Sequence, residues 1–366
     1  MNPGISATHI KSKTKLQMST VLYTLKVLKD KGYVKEIGYG NSTVQGGKPP
    51  VLWDLVNEYG LIFGIELLST EARLVLINFK GEIQYKNIFP ISVSKDPYEI
   101  ATQIKNIVST VQNEHNVLDD NILGLGIGIP GTIDNEKGII NYSYSFDFHN
   151  INFRSILNDI FNFDVEIDND ANVGVLGVKW LNSQEFLTSN ILYLSINQNF
   201  SGIGAGLLID HKIYRGSNSA AGEVSTSIAK SAWKRILNNA LKKFGDECLF
   251  CQSLSNNKIM NIKEIIEHAK VGEQSSIYIL REVAKELSKK IIDLVDLLNP
   301  AVVMIGGSIC DGEEFIKPII EERVKNKVIS EVVNNTPIRF SSFGEYSGAV
   351  GGSALFLKKY FMDQPL

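Results

Sequence analysis

The sequence predicts an α/β protein built from a duplicated strand-and-helix pattern with a cleft between two lobes, preceded by a short basic segment of helices and a hairpin. Three observations predict it. Three consecutive strand-like runs, a helical stretch and an apolar strand begin at residue 61, and the same order recurs from residue 190. Glycine-rich turns gather at the ends of those strands. Finally, the first 50 residues carry eight lysines against Asp30 and Glu36, so a surplus of six positive charges there leaves nine negative charges on the remainder of a chain whose net charge is −3.

Length and composition bound the rest. A chain of 366 residues exceeds one typical core, so two or three packed units are expected. Its 44% hydrophobic and 21% charged residues are ordinary for a soluble globular protein. No apolar run is long enough to span a bilayer, and the opening MNPGISATHIKSK has no apolar secretory core. Three cysteines, Cys248, Cys251 and Cys310, are too few for a disulfide framework, so a cytoplasmic protein is expected.

Residues 6–13 form a short helical pattern with Ser6 as its N-cap. A second runs from about 17 to 30, with Val21, Leu22, Leu25 and Leu28 on one face, and Gly32 stops it. The short connection TKLQM gives the pair the geometry of a helix-turn-helix, whose second helix enters the major groove by its N-terminal turn. That turn offers Gln17, Ser19 and Thr20, with Tyr23 and Lys26 further along, for base edges and phosphates. Lys13 and Lys15 are placed for phosphate contacts. Strands at 33–38 and 51–56 flank GYGNSTVQGGKPP, a wing-like hairpin tip that carries Lys48. A plain helical hairpin with a surface loop is the alternative. Such domains carry one more helix at the front, and only MNPG precedes residue 5, so either the true start lies upstream or the domain is trimmed and leans on the body or a partner subunit. The expected units are residues 1–57 and 58–366.

In the body, residues 61–68, 72–79 and 82–89 read as strands, with FKGE as a turn. A helix at about 97–115 and the strand ILGLGIGIP follow. The second copy is NILYLSIN, IGAGLLID and HKIY, then helices, then AVVMIGG. The amphipathic stretch 275–298 is a core helix or, second, a dimer surface. Ligands of open α/β sheets sit at strand C-terminal ends, which directs attention to two spans. In VEIDNDANVGVLG a strand ends in Asp168-Asn169-Asp170 and a helix begins, so a carboxylate there can accept a proton or a hydroxyl hydrogen bond. In YRGSNSAAGEVS a small-residue loop delivers Glu223. Asp170 as a mere helix cap and Glu223 as a mere pairing partner are equally open.

Taken together, IGIPGT (127–132), DNDAN (168–172), GIGAG (202–206), RGSNSAAGE (215–223) and MIGG (304–307) resemble the ROK family in order and spacing, and the N-terminal segment looks like the winged domain of its xylose-repressor and N-acetylglucosamine-repressor branch. The resemblance implies a duplicated actin-like, ribonuclease H-like ATPase fold preceded by a winged helix-turn-helix. It implies a sugar-responsive repressor of carbohydrate-utilisation genes, with operator DNA and a sugar as partners and a homodimer or higher oligomer as the assembly. Xylose is the first expected effector. Asp170 matches the catalytic base of the family's kinases, and Asn169 and Glu223 match sugar-hydroxyl ligands. The alternative is an ATP-dependent sugar kinase with a vestigial reading head; a third reading makes the body only a scaffold.

Departures from the family weigh against the kinase. Its phosphate loop, D-x-G-G-T, corresponds here to Glu66-Leu67-Leu68-Ser69-Thr70, so Leu68 and Ser69 replace glycines that let backbone amides approach phosphate. Phosphoryl transfer rests on positioning and charge neutralisation, so no catalytic residue and no cofactor are expected. The family's zinc pattern is also broken: Thr226 stands at the histidine position and only Cys248-x-x-Cys251 follows, so no metal is expected and these cysteines should be free or buried thiols.

Overall fold

The computed structural model describes residues 4–41, 48–181, 190–196, 203–224, 230–248, 261–328 and 335–362. A two-residue strand, β1 (Ile5–Ser6), leads into α1 (Ala7–Thr14) and α2 (Met18–Asp30), and then β2 (Val34–Tyr39) and β3 (Val51–Leu55). The strands form a small sheet in the order β1-β3-β2, antiparallel throughout. Ser6 caps α1 by accepting a hydrogen bond from the His9 amide at 3.2 Å. On α2 the residues that go inside are Val21 and Leu25, one turn apart, whereas Leu22 is 51% exposed. The expected apolar face is therefore narrower, because a neighbouring position on a helix points about 100° away.

The body opens with the antiparallel strands β4 (Leu61–Leu67), β5 (Glu71–Asn78) and β6 (Ile83–Pro90), followed by α3 (Pro97–His115) and β7 (Ile122–Ile129). A small sheet of β8 (Thr132–Asp134), β9 (Ile139–Ser143) and β10 (Phe148–Ile151), the short helix α4 (Phe153–Asn158), β11 (Val165–Asn169) and α5 (Asp170–Leu181) complete the first half. The second half holds β12 (Ile191–Ile196), β13 (Ile203–Ile209), β14 (Lys212–Ile213), α6 (Lys230–Phe244), α7 (Ile262–Lys270) and α8 (Gln274–Leu298). Then come β15 (Val302–Gly306), α9 (Glu313–Lys327), β16 (Ile338–Phe340) and α10 (Ser347–Met362).

The duplication is visible in the strand order. The first large sheet runs β11-β7-β4-β5-β6 and the second β16-β15-β12-β13-β14. In each, three antiparallel strands are extended by two parallel ones, which need helical crossovers. HKIY shrinks to a two-residue edge strand because Asp210 and His211 both turn through positive φ. Strands β4, β5 and β12 are buried almost end to end, which is why they read as continuous apolar runs. Two main cores result, one under each sheet.

Helix α10 returns from the second half to pack on α5, β4 and β7 of the first. Its far end also reaches the basic segment. Tyr33, just past α2, meets Tyr59 at 4.6 Å between ring centroids, Tyr59 meets Phe79 at 4.8 Å, and Tyr360 of α10 closes the cluster 6.0–6.2 Å from these rings. An ion pair between Lys80 and Asp54 at 2.6 Å adds to the junction. The described part of the basic segment thus packs against the body. No helix among the described residues is long and apolar enough to cross a membrane.

Candidate functional site

The cleft is organised by the turn between β11 and α5. Asn169 makes most of the local bonds. Its Oδ1 accepts from the amides of Ala171 (2.9 Å) and Asn172 (3.1 Å), and its Nδ2 donates to the Gly131 carbonyl at 2.8 Å. Both lone-pair directions of the carbonyl are thereby used, and the Asn169 side chain also hydrogen-bonds the Asp170 carboxylate. Capping thus falls chiefly to Asn169, and helix α5 begins at Asp170 itself.

Asp170 keeps a half-buried carboxyl at the positive end of α5, with one oxygen accepting from the Ala171 amide at 2.9 Å. Burial pushes this carboxyl up to about 6; the Ala171 amide draws it down, and the charge of Glu223 raises it. Glu223 comes from the second half. Its backbone bridges to Gly204 of β13, and a Cβ on Gly204 would lie 3.8 Å from Asp170 Oδ1, so both residues adjoin one glycine. The Glu223 side chain is open at the cleft edge, yet the desolvation its surroundings impose lifts its carboxyl above the usual range. The expected trio of Asn169, Asp170 and Glu223 is therefore brought to one place. Two acceptors of adjustable protonation and a fixed amide donor form a set suited to the hydroxyls of a polyol.

Two arginines balance the charge. Arg215 grips Asp168, which is fully buried, by Nη1–Oδ1 at 2.7 Å and Nη2–Oδ2 at 2.6 Å. Nearby, Arg73 and Glu66 form a buried pair at 3.4 Å. Burial pushes the Glu66 carboxyl up to about 7 against the pull of Arg73, and the charge of Asp170 adds to the rise. In the span 66–70 the Leu68 amide donates to the Glu71 carbonyl at 2.8 Å, and the Leu68 side chain is buried. That amide is committed within the turn.

On the basic segment, the side chains singled out for DNA are all exposed: Lys13, Lys15, Gln17, Ser19, Thr20, Tyr23, Lys26 and Lys48. Ser19, Tyr23 and Lys26 follow one another at helical spacing on the outer face of α2, with Tyr23 70% exposed. Gln17 occupies the N-cap position of α2 but makes no side-chain capping bond, which leaves its amide free to reach outward.

Residues 62–359 match the sequence pattern of the ROK family. The chain belongs to the ROK family. Over 352 residues, 91% of this ROK protein and 87% of the relative, it is 30% identical to the xylose repressor of Caldicellulosiruptor bescii. Among solved structures it is similar to a ROK family transcriptional regulator described as a homologue of the E. coli MLC protein, with a TM-score of 0.75, 18% identity and coverage of 98% of this chain and 92% of that one. A ROK glucokinase from Streptomyces griseus, solved with glucose and AMPPNP, matches with a TM-score of 0.69 and 18% identity over 81% of this chain and 99% of that one. The mixed α/β sheets described above are thus those of a ROK fold.

Several residues of this ROK protein's cleft carry little signal of their own in the sequence. Asp168 reads there only as part of a motif, and Arg215 lies 47 positions away from it. Glu66 and Arg73 are charges set inside apolar strand runs, and that incongruity is the available signal for a buried pair. One expectation is corrected: Cys248 is buried but disulfide-bonded, not a free thiol. A buried small sulfur and a bonded one read alike in sequence. Thr226, Cys251 and Gly202 lie outside the described residues.

Proposed function

We propose that this ROK protein is a sugar-responsive transcriptional repressor of carbohydrate-utilisation genes, with xylose or a related sugar as its effector. In this reading residues 1–57 are a winged helix-turn-helix domain, and residues 58–366 are an actin-like sugar-binding body. The observation that carries it is the extent of similarity. The match to a xylose repressor spans 91% of the chain and that to a ROK regulator 98%, so both extend into the basic segment, whereas the glucokinase match covers 81%.

The chemistry supports the same reading. Ser19, Tyr23 and Lys26, with Gln17 and Thr20 beside them, offer donors and acceptors to base edges, while Lys13, Lys15 and Lys48 face phosphates. The sugar lies between Asn169, Asp170 and Glu223, where the two carboxylates and the Asn169 amide beside them take its hydroxyls. Sugar binding changes the relation of the two halves and hence the spacing of two reading heads in a homodimer, so sugar and DNA affinities are reciprocally coupled. Its site of action is the cytoplasm, where the DNA is.

Phosphoryl transfer fits this cleft poorly. It requires amides free to cradle phosphate, and the Leu68 amide is already bonded to Glu71 while two side chains stand where the kinases carry glycines. Calorimetric titration with a panel of pentoses, hexoses and amino sugars tests the proposal. Binding of at least one, abolished by Asp170→Asn, is expected. Silence across the panel removes the sugar-sensor reading, and sugar-dependent ATP turnover that disappears in Asp170→Ala replaces it with a kinase.

A further inference from the structure

Arg73 is a fully buried guanidinium whose bonds divide between the two halves of the body. On its own sheet, Nε donates to Glu71 Oε1 at 2.9 Å and Nη1 approaches Glu66 Oε2 at 3.4 Å. The other contacts cross over. Nη1 donates to the backbone carbonyl of Glu345 at 2.9 Å, and Nη2 to Ser308 Oγ at 3.1 Å. Ser308 directly follows Gly307 at the end of β15, and Glu345 lies between β16 and α10, so both acceptors belong to the end of the second sheet. The Glu345 carboxylate is itself paired with Lys263 of α7. The contact is close as well as polar: a Cβ on Gly348, in the first turn of α10, would fall 2.4 Å from Glu66 Cδ.

We propose that Arg73 is an internal latch between the lobes, set at the end of the cleft where the ROK kinases carry their phosphate loop. The division of its bonds makes a latch more fitting than a plain core ion pair. The charge is neutralised by Glu66 and Glu71, which move with Arg73 as one piece of the first half. What crosses the gap is a neutral hydroxyl and a neutral carbonyl. Opening this end of the cleft therefore leaves the ion pairs of Arg73 intact, whereas separating a buried pair would be costly. At Arg73 it breaks two charge-assisted hydrogen bonds, and water entering the gap can replace both acceptors. This end of the cleft is thus held by the protein's own cation through bonds that water can replace, apart from the separate Arg215–Asp168 tie between the halves.

Hydrogen exchange of the full-length protein, with neither sugar nor DNA, tests this, so the result is independent of the regulatory reading. Ser308→Ala removes one crossing bond without disturbing the ion pair. Amides in Ser308–Gly312 and Gly344–Tyr346 should then exchange about tenfold faster, as for removal of one hydrogen bond to a charged group. Arg73→Lys, whose three donors cannot span four acceptors, should exceed that and increase the radius of gyration in solution scattering. If Arg73→Lys fails to fold, the double variant Arg73→Met with Glu66→Gln removes the two most deeply buried of the three charges together, leaving Glu71, and should show the same local acceleration. Exchange at these two segments unchanged from the parent in Ser308→Ala and in the double variant overturns the latch. Acceleration spread evenly across both sheets also overturns it, because that is the behaviour of a packing residue.

Discussion

Arg215 holds Asp168 fork to fork, at 2.7 and 2.6 Å, and in doing so fastens the loop that carries Glu223 to the strand end that carries Asn169 and Asp170. The carboxylate is fully buried and the guanidinium side chain is 20% exposed, so the pair is sheltered from salt. The sugar ligands proposed on the two halves are in register because of this bond.

Its removal should be felt in both stability and binding. Arg215→Ala leaves Asp168 buried without its partner, a change that costs about 3 kcal/mol. The melting temperature should fall by several degrees and sugar affinity by more than about tenfold. Arg215→Lys keeps the charge but loses the second bond, and should fall between. Calorimetry on the three proteins checks the order; a lysine variant indistinguishable from the parent would remove the geometric role.

Asp170 makes stability depend on pH in a defined direction. Its carboxyl sits at about 6 in the folded protein, above its ordinary value, so the folded state binds the proton more tightly than the unfolded chain. The contribution to stability is complete below about pH 4 and is lost as pH rises through about 6. Asp170→Asn should therefore gain on the parent by about 2 kcal/mol between those limits, measured by denaturant melts at several pH values. Sugar binding runs the other way if the carboxylate accepts a hydroxyl: at pH 5 only about a tenth of the carboxyl is ionised, and affinity should drop about tenfold from its value at pH 7.5.

The outer face of α2 should separate base reading from phosphate contact. Ser19→Ala, Tyr23→Ala and Lys26→Ala alter which sequences are preferred, each removal of a hydrogen bond to a base edge costing about 1–3 kcal/mol of discrimination. Lys13→Ala and Lys15→Ala weaken all sequences alike and lower the slope of log affinity against log salt by about 1 each. Fluorescence anisotropy at several salt concentrations distinguishes the two patterns; an unchanged slope in both lysine variants would take them off the phosphate backbone.

The aromatic cluster is a physical contact through which the body can bias the basic segment. Tyr360 lies near the end of the helix that packs on α5, and its ring is 6.1 Å from Tyr33, which follows α2. Tyr360→Ala should leave sugar affinity within about twofold and reduce the effect of sugar on DNA affinity by about 1 kcal/mol or more. Equal coupling in parent and variant would exclude this route.

Much of the fold is legible in the sequence because it is periodic or local. The alternation of antiparallel strand runs with a helix and a buried strand announces each half, and Ser6, Gly32 and the DNDAN turn announce helix ends. What stays hidden is non-local or double in role. Strand β1 is two residues long and exists only because Ile5 and Ser6 pair with Trp53 and Leu52. Asn169 reads as a ligand, yet its carbonyl is spent on capping α5. Arg73 meets Ser308 and Glu345 across 235 and 272 positions, a distance no motif spans.

Control of DNA affinity by sugar is tested most directly by measuring how tightly the full-length protein binds duplex DNA that it has itself selected from a random pool, with and without saturating xylose. Selective binding that xylose or a related sugar weakens at least about tenfold is expected, with no such response in Asp170→Asn. Selective DNA binding that no pentose, hexose or amino sugar alters would contradict a sugar-responsive repressor.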